Sequence, residues 1–218
     1  RYVYIKNIIV TYSEESLKTL NKIYRLNLIN SITGYKPANL IGTKSKNGVT
    51  NLAIFSSVIH LGSNPALIGI VTRPNTVPRH TYKNIIDTKY FTINHISKEN
   101  IKKAHYTSAK FKDEESEFEK CSLEEMYIDN FYAPFVKESK VKIGLKLVEE
   151  ITINSNNTIL IVGRVTKIKT RNELIEEDGS LKFEELDTVC ISGLDSYYST
   201  KKIAKYPYAK RNELPKKW

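Results

Sequence analysis

The chain is short of cysteine, of arginine and of long apolar runs, and each scarcity excludes something. Cys121 and Cys190 are its two cysteines. They build neither a disulfide framework nor a Cys-x-x-Cys metal pair, so a reducing compartment is expected. No apolar stretch approaches the ~20 residues of a membrane span. The opening RYVYIKNIIV has no signal-peptide core and runs straight into polar sequence, so the expected location is cytoplasmic. His60, His80, His95 and His105 fall at no ligand spacing, and no metal site is expected. GxSxG, the P-loop and GxGxxG are also absent, which removes the usual support for serine hydrolase, P-loop NTPase and Rossmann readings. The 9 Gly and 7 Pro in 218 residues concentrate in no linker, and one domain over 1–218 is expected.

What the chain does have is positive charge. The formal net charge is +10, made with 27 Lys against 7 Arg. Readers of phosphates and bases favour the rigid Arg fork. The scattered lysines therefore read as a solvated surface with capacity for an anionic ligand. The tail interleaves Tyr197, Tyr198, Tyr206 and Tyr208 with Lys201, Lys202, Lys205, Lys210 and Arg211, a profile seen in single-strand nucleic-acid binders. The alternative is a tail held on the fold by its tyrosines with its lysines in water. The second reading is preferred, and nucleic acid is not expected as a partner.

Patterning along the chain gives mostly strands. SEESLKTLNKIYRLNLINSI predicts one helix over about 13–32, with Ser13 as its N-cap and Gly34 as its stop. Asn47-Gly48 predicts a hairpin between strands 38–45 and 49–58. PALIGIVTR reads as a strand buried on both faces, PRHTYKNIIDT as a short helix with Pro78 in its first turn, and YFTINHI as a strand. A helix capped by Ser97 follows, then an acidic insertion, DEESEFEKCSLEEMYIDN, which reads as a mobile, solvated segment with a helical turn. VKIGLKLVEEITI and TILIVGRVTKIKT are two long strands, a short strand pair is expected around Asp178-Gly179, and an irregular extension covers about 193–218. Many antiparallel strands with few helices indicate a small closed or split barrel.

One segment does not pattern cleanly. In TNLAIFSSVIHLGSNPALIGIVTRP, Asn51, Ser56 and Ser57 interrupt a strand that otherwise looks buried, and an unpaired buried polar group costs about 1–3 kcal/mol. With Arg73, Arg79, His80, Thr81 and Asn84 they suit a phosphate, which backbone N–H groups at a helix start and an Arg fork would hold. Ordinary strand ends, with Thr76 or Thr81 capping the helix, explain the same residues, and both readings stay open on chemistry alone. His105, at a helix end, is a weak catalytic candidate.

The segments NLAIFSSVIHLGSNPALIGIVTRP, RHTYKNI, YFTINHI, AHYTSAKF and SGLDSYYSTKKIAKYPYAK together resemble a bacterial subgroup of the flavin reductase family. The likeness runs over about residues 20–210. It implies a mainly β, Greek-key split barrel of FMN-binding type with peripheral helices, and a homodimer with FMN near the subunit interface. It implies that Asn51, Ala53, Ile54 and Phe55 line the flavin and ribityl chain. Ser56, Ser57, Arg73, Thr81 and Asn84 would hold the phosphate. His80 stands where many relatives carry an acidic residue, and Pro65-Ala66 where many carry Pro-Pro. The implied activity is hydride transfer from NADH or NADPH to flavin, with an oxygenase as a possible recipient of reduced flavin. Alternatives are a relative acting on a pyridoxal-phosphate-like or quinone-like substrate, and last a non-enzymatic barrel binding single-stranded nucleic acid.

Overall fold

The computed structural model describes residues 9–216, so residues 1–8 and 217–218 of the expected 1–218 domain lie outside the described part. The chain opens with α1 (Glu14–Thr19) and α2 (Lys22–Ser31). The single helix expected over 13–32 is broken at Leu20, whose backbone is extended, and Asn21 caps a new start through its side chain. Asn at this position competes for the backbone and favours a cap over a helix interior. Ser13 caps α1 as expected. Neither helix has a buried residue.

The strands follow as β1 (Lys36–Pro37), β2 (Asn39–Lys44), β3 (Thr50–Phe55), β4 (Val58–Ser63) and β5 (Ala66–Thr72). Helix α3 (His80–Thr88) leads into β6 (Tyr90–His95), a 3-10 turn, α4 (Ile101–Tyr106) and α5 (Glu117–Lys120). The rest comprises β7 (Glu125–Met126), β8 (Phe135–Val136), β9 (Lys142–Ile153), β10 (Thr158–Lys169), α6 (Phe183–Leu186), β11 (Val189–Ser192) and β12 (Ser196–Ser199). In the predicted hairpin Gly48 takes a positive φ of 89°, and Ser45 N–H closes the loop on Val49 O at 2.8 Å. Helix α3 starts two residues beyond Pro78, after Arg79. The pair expected around Asp178-Gly179 is reduced to one bridge, Ile175 to Leu181.

Seven strands form one antiparallel sheet in the order β3-β2-β6-β9-β10-β5-β4. Its two edges, β3 and β4, are consecutive in sequence and joined only by Ser56 and Ser57. Laid flat, seven strands ~4.8 Å apart would separate the edges by roughly 29 Å. From Phe55 to Val58 the backbone reaches at most about 11 Å. The sheet must therefore curl until its edges meet at the two serines, which makes it a split barrel.

Curling gives every strand an inner and an outer face. Ile41, Ile70, Phe91, Ile93, Leu145 and Ile161 fill the inside, and Ile85 of α3 joins them. Leu40, the neighbour of Ile41, points the other way, into a second core with Leu52, Ile96, Phe118, Val189 and Ile191. That outer layer brings α4, α5 and β11 onto the β2–β3 side. Tyr197 of β12 packs against it, so at least this tyrosine of the tail is held on the fold.

His95 is turned into the structure at the end of β6. Its ring stacks on Phe183 at 6.2 Å, its Nδ1 has no hydrogen-bond partner among the described residues, and burial lowers its pKa to about 4. The unfolded chain, with a pKa near 6.5, binds the proton more readily. His95 thus contributes stability that is fully present above about pH 6.5 and is lost as pH falls towards 4. Urea unfolding between pH 7 and 4.5 is expected to show a loss of at most about 3 kcal/mol from this group, and His95→Leu should flatten that part of the slope.

Candidate functional site

Strand β3 carries the ambiguous residues, and its pleat sorts them. Leu52 and Ile54 pack on the outer core, while Phe55 packs on the inner one. Asn51, Ala53 and Phe55 share the inner face by alternation, and Asn51 lies opposite Thr43 of β2. Helix α3 lies across this face. Asn51 Nδ2 donates to Thr81 Oγ1 at 3.0 Å, and Asn84 Nδ2 donates to Thr43 Oγ1 at 3.1 Å. All four side chains are buried. These hydrogen bonds answer the polar puzzle at this end of the strand, because each buried amide has a hydroxyl partner.

At the other end, the serine corner is tied to β5. Ser57 Oγ donates to Val71 O at 2.8 Å and accepts from Val71 N–H at 3.2 Å. Ser56 is half-buried at the same corner. Arg73, two residues beyond Val71, is exposed, and the loop from it leads to the start of α3. Asn51 and Ser57 are six positions apart, with β3 ending at Phe55 between them, so the chain separates them by at most roughly 20 Å. The described contacts thus divide the expected residues into an Asn51–Thr81–Asn84 group and a serine-corner group.

The start of α3 is the electropositive feature. Arg79 occupies the N-cap position and makes no side-chain cap hydrogen bond, and neither Thr76 nor Thr81 caps the helix. The first N–H groups of the nine-residue helix therefore point outward without an intrahelical partner. The Arg79 Nε donates to Pro74 O at 3.2 Å, which holds its guanidinium at this terminus. His80 Nε2 lies 2.7 Å from Asp113 Oδ1.

The acidic insertion departs most from its expected form. Rather than lying in solvent, it grips the outer edge of β3. Glu117 is buried, 6% exposed, and its Oε2 accepts from Leu52 N–H at 2.9 Å. Thr50 Oγ1 donates to Glu125 Oε1 at 2.6 Å and lies 2.7 Å from Ser116 Oγ. The expected helical turn is present as α5, but the charged residue types alone do not show that it packs. A usable signal was the apolar spacing Phe118, Cys121, Leu123, all of which are buried in the outer core; it marks a packed segment. His105, the weak catalytic candidate, bonds through Nδ1 to Tyr197 OH at 2.9 Å. Burial raises Tyr197 to about 12, and no described hydrogen bond joins this pair to β3 or α3. Among the described residues no cluster of His, Cys, Asp and Glu could hold a metal ion, and no helix is long and apolar enough to cross a membrane.

The family model for the flavin reductase like domain matches residues 35–187. A candidate flavin reductase with a split barrel domain from Shewanella frigidimarina NCIMB 400 superposes with a TM-score of 0.88 at 44% identity, over 92% of this chain and 100% of that one. Nitrilotriacetate monooxygenase component B from Bacillus cereus shares the fold, with a TM-score of 0.80 at 20% identity over 91% of this chain and 99% of that one. A protein of Aquifex aeolicus strain VF5 is 30% identical over 152 residues, 69% of this chain and 76% of its own length.

The two serines have different surroundings and should respond differently to substitution. Ser57→Ala is expected to lower stability by about 1–2 kcal/mol, since it removes a hydroxyl that bonds twice to β5. Ser56→Ala should stay within about 0.5 kcal/mol. Denaturant midpoints of the two variants check this.

Proposed function

The chain belongs to the flavin reductase like family, and on that premise we propose that it binds FMN and transfers hydride from NADH or NADPH to the flavin. The observation that carries the FMN assignment is the open start of α3. Outward N–H groups, Arg79 beside them and the Thr81 hydroxyl within the first turn suit a phosphate monoester. Arg73 is exposed just after β5, in the loop that leads to α3. Strand β3 supplies the rest of the bed. Its edge at Ala53, Ile54 and Phe55 is half-buried and carries only apolar side chains, and Ser56 stands at the corner beyond.

The residue set fits an elongated ligand with one anionic end better than a compact anion, because it runs from the start of α3 along β3 to the serine corner. In this reading Asn51, Asn84 and Thr43 brace the bed, and Ser57 holds the corner to which the bed is attached. His80 holds the neighbouring segment by its bond to Asp113.

Bound flavin supplies two-electron redox chemistry, taking hydride from a stacked nicotinamide. The protein's share is alignment, exclusion of water and backbone hydrogen bonding, which need no general acid or base.

We also propose a homodimer with each flavin near the interface. Helices α1 and α2 support it, since six and ten residues are too few for a stable isolated helix in water and neither is buried against its own chain. Ile23 is 61% and Ile32 65% exposed. The outer face of the barrel around Gly69, with Ile59, Leu61 and Leu160 packed beside it, offers a second uncovered apolar surface. Delivery of reduced flavin to an oxygenase is a further part of the proposal, supported by the shared fold with a monooxygenase component.

Purified protein titrated with FMN should develop a perturbed flavin spectrum that NADH or NADPH bleaches under anaerobic conditions. Riboflavin, which lacks the phosphate, should bind at least about tenfold more weakly. No spectral change at saturating FMN refutes the assignment. Light scattering should give the mass of two chains, and Ile29→Asp with Ile32→Asp should shift it towards one.

A further inference from the structure

The sheet's open edge is a hazard unless something occupies it. Outward N–H and C=O groups of an edge strand recruit other strands. On β3 the Leu52 N–H points outward, as its bond to Glu117 shows. Period-two alternation turns the Ile54 N–H to the same side. The acidic segment thus covers the edge at Thr50 and Leu52 and stops before Ile54, next to the residues assigned to the flavin.

Three further contacts make this segment a clamp. Ser116 and Glu125 hold Thr50 on the same strand. Asp113 holds His80 at the start of α3. Burial raises the Glu117 carboxyl above the ordinary carboxylate value, and its bond from the Leu52 N–H and the neighbouring His80 act against that rise. Glu117 is thus bonded to the strand that would bed the ring, in a segment whose Asp113 is bonded to the helix start that would take the phosphate.

We propose that Glu117 is a positioning residue for the flavin: its carboxylate fixes the β3 edge at Leu52, presents the Ile54 amide to the ring, and lowers the reduction potential of the bound flavin by its negative charge. This rests on the flavin reading above. A buried carboxylate acts through a medium of low polarity, so its charge bears on a neighbouring group that gains electrons.

The test uses the full chain with Glu117→Gln and Glu117→Ala. Gln keeps an oxygen acceptor for Leu52 and removes the charge, while Ala removes both. For Glu117→Gln we expect FMN affinity within about threefold of wild type and a more positive midpoint potential of the bound flavin. For Glu117→Ala we expect at least about tenfold weaker FMN binding. Without flavin, amide exchange at Leu52, whose N–H the carboxylate accepts, should accelerate in Glu117→Ala and stay near wild type in Glu117→Gln. An unchanged potential in Glu117→Gln overturns the electrostatic role. Unchanged exchange in Glu117→Ala overturns the clamp. If Glu117→Ala does not fold, Glu117→Gln still decides the potential. A wild-type chain that takes up no FMN overturns the flavin reading, and the exchange measurement then tests the clamp separately.

Discussion

The structure depends on one short connection. Ser56 and Ser57 are all that separates the two outermost strands of a seven-stranded sheet, so the sheet cannot lie open. Curling provides an enclosed interior for Ile41, Ile70, Phe91, Ile93, Leu145 and Ile161, and it brings the edge strand β3 under the start of α3. The corner is held by the paired bonds between Ser57 and the backbone of Val71. Close packing transmits the constraint inward. At Gly163 a Cβ would come within 2.5 Å of the Phe91 ring, too near for any larger residue without moving the core.

The same closure explains why polar residues are tolerated in a buried strand. At one end of β3, Asn51 and Asn84 bond to the hydroxyls of Thr81 and Thr43 and tie α3 across the barrel. At the other, the serine corner bonds to β5. Between them, Ala53 to Phe55 carry no buried polar side chain, and the edge backbone there is the available polar surface. A long ligand with an anionic end fits this division of labour. The clamp formed by Glu117, Ser116 and Glu125 guards the part of the edge that such a ligand would leave uncovered.

Much of this was legible in the sequence. Alternation and the Asn47-Gly48 signal located β2, β3, β5, β6, β9 and β10, and the resemblance carried by NLAIFSS, Arg73-Pro74 and Thr81 with Asn84 identified the split barrel. What could not be read were pairings between distant segments. Nothing local to Glu117 announces that its carboxylate meets Leu52, 65 residues earlier, because a run of acids ordinarily remains in water. The break at Asn21 was hidden by an apolar stripe that continues through it in register. Nor does nearness in sequence tell that Asn51 bonds to Thr81 of α3 while Ser57 bonds to Val71 of β5.

The central claim is that β3 and the start of α3 form one bed for FMN. A crystal structure of the chain grown with excess FMN tests it most directly. The account predicts flavin density along the Ala53–Phe55 edge, with the phosphate at the first N–H groups of α3. A flavin bound away from β3, or a phosphate remote from α3, would contradict it.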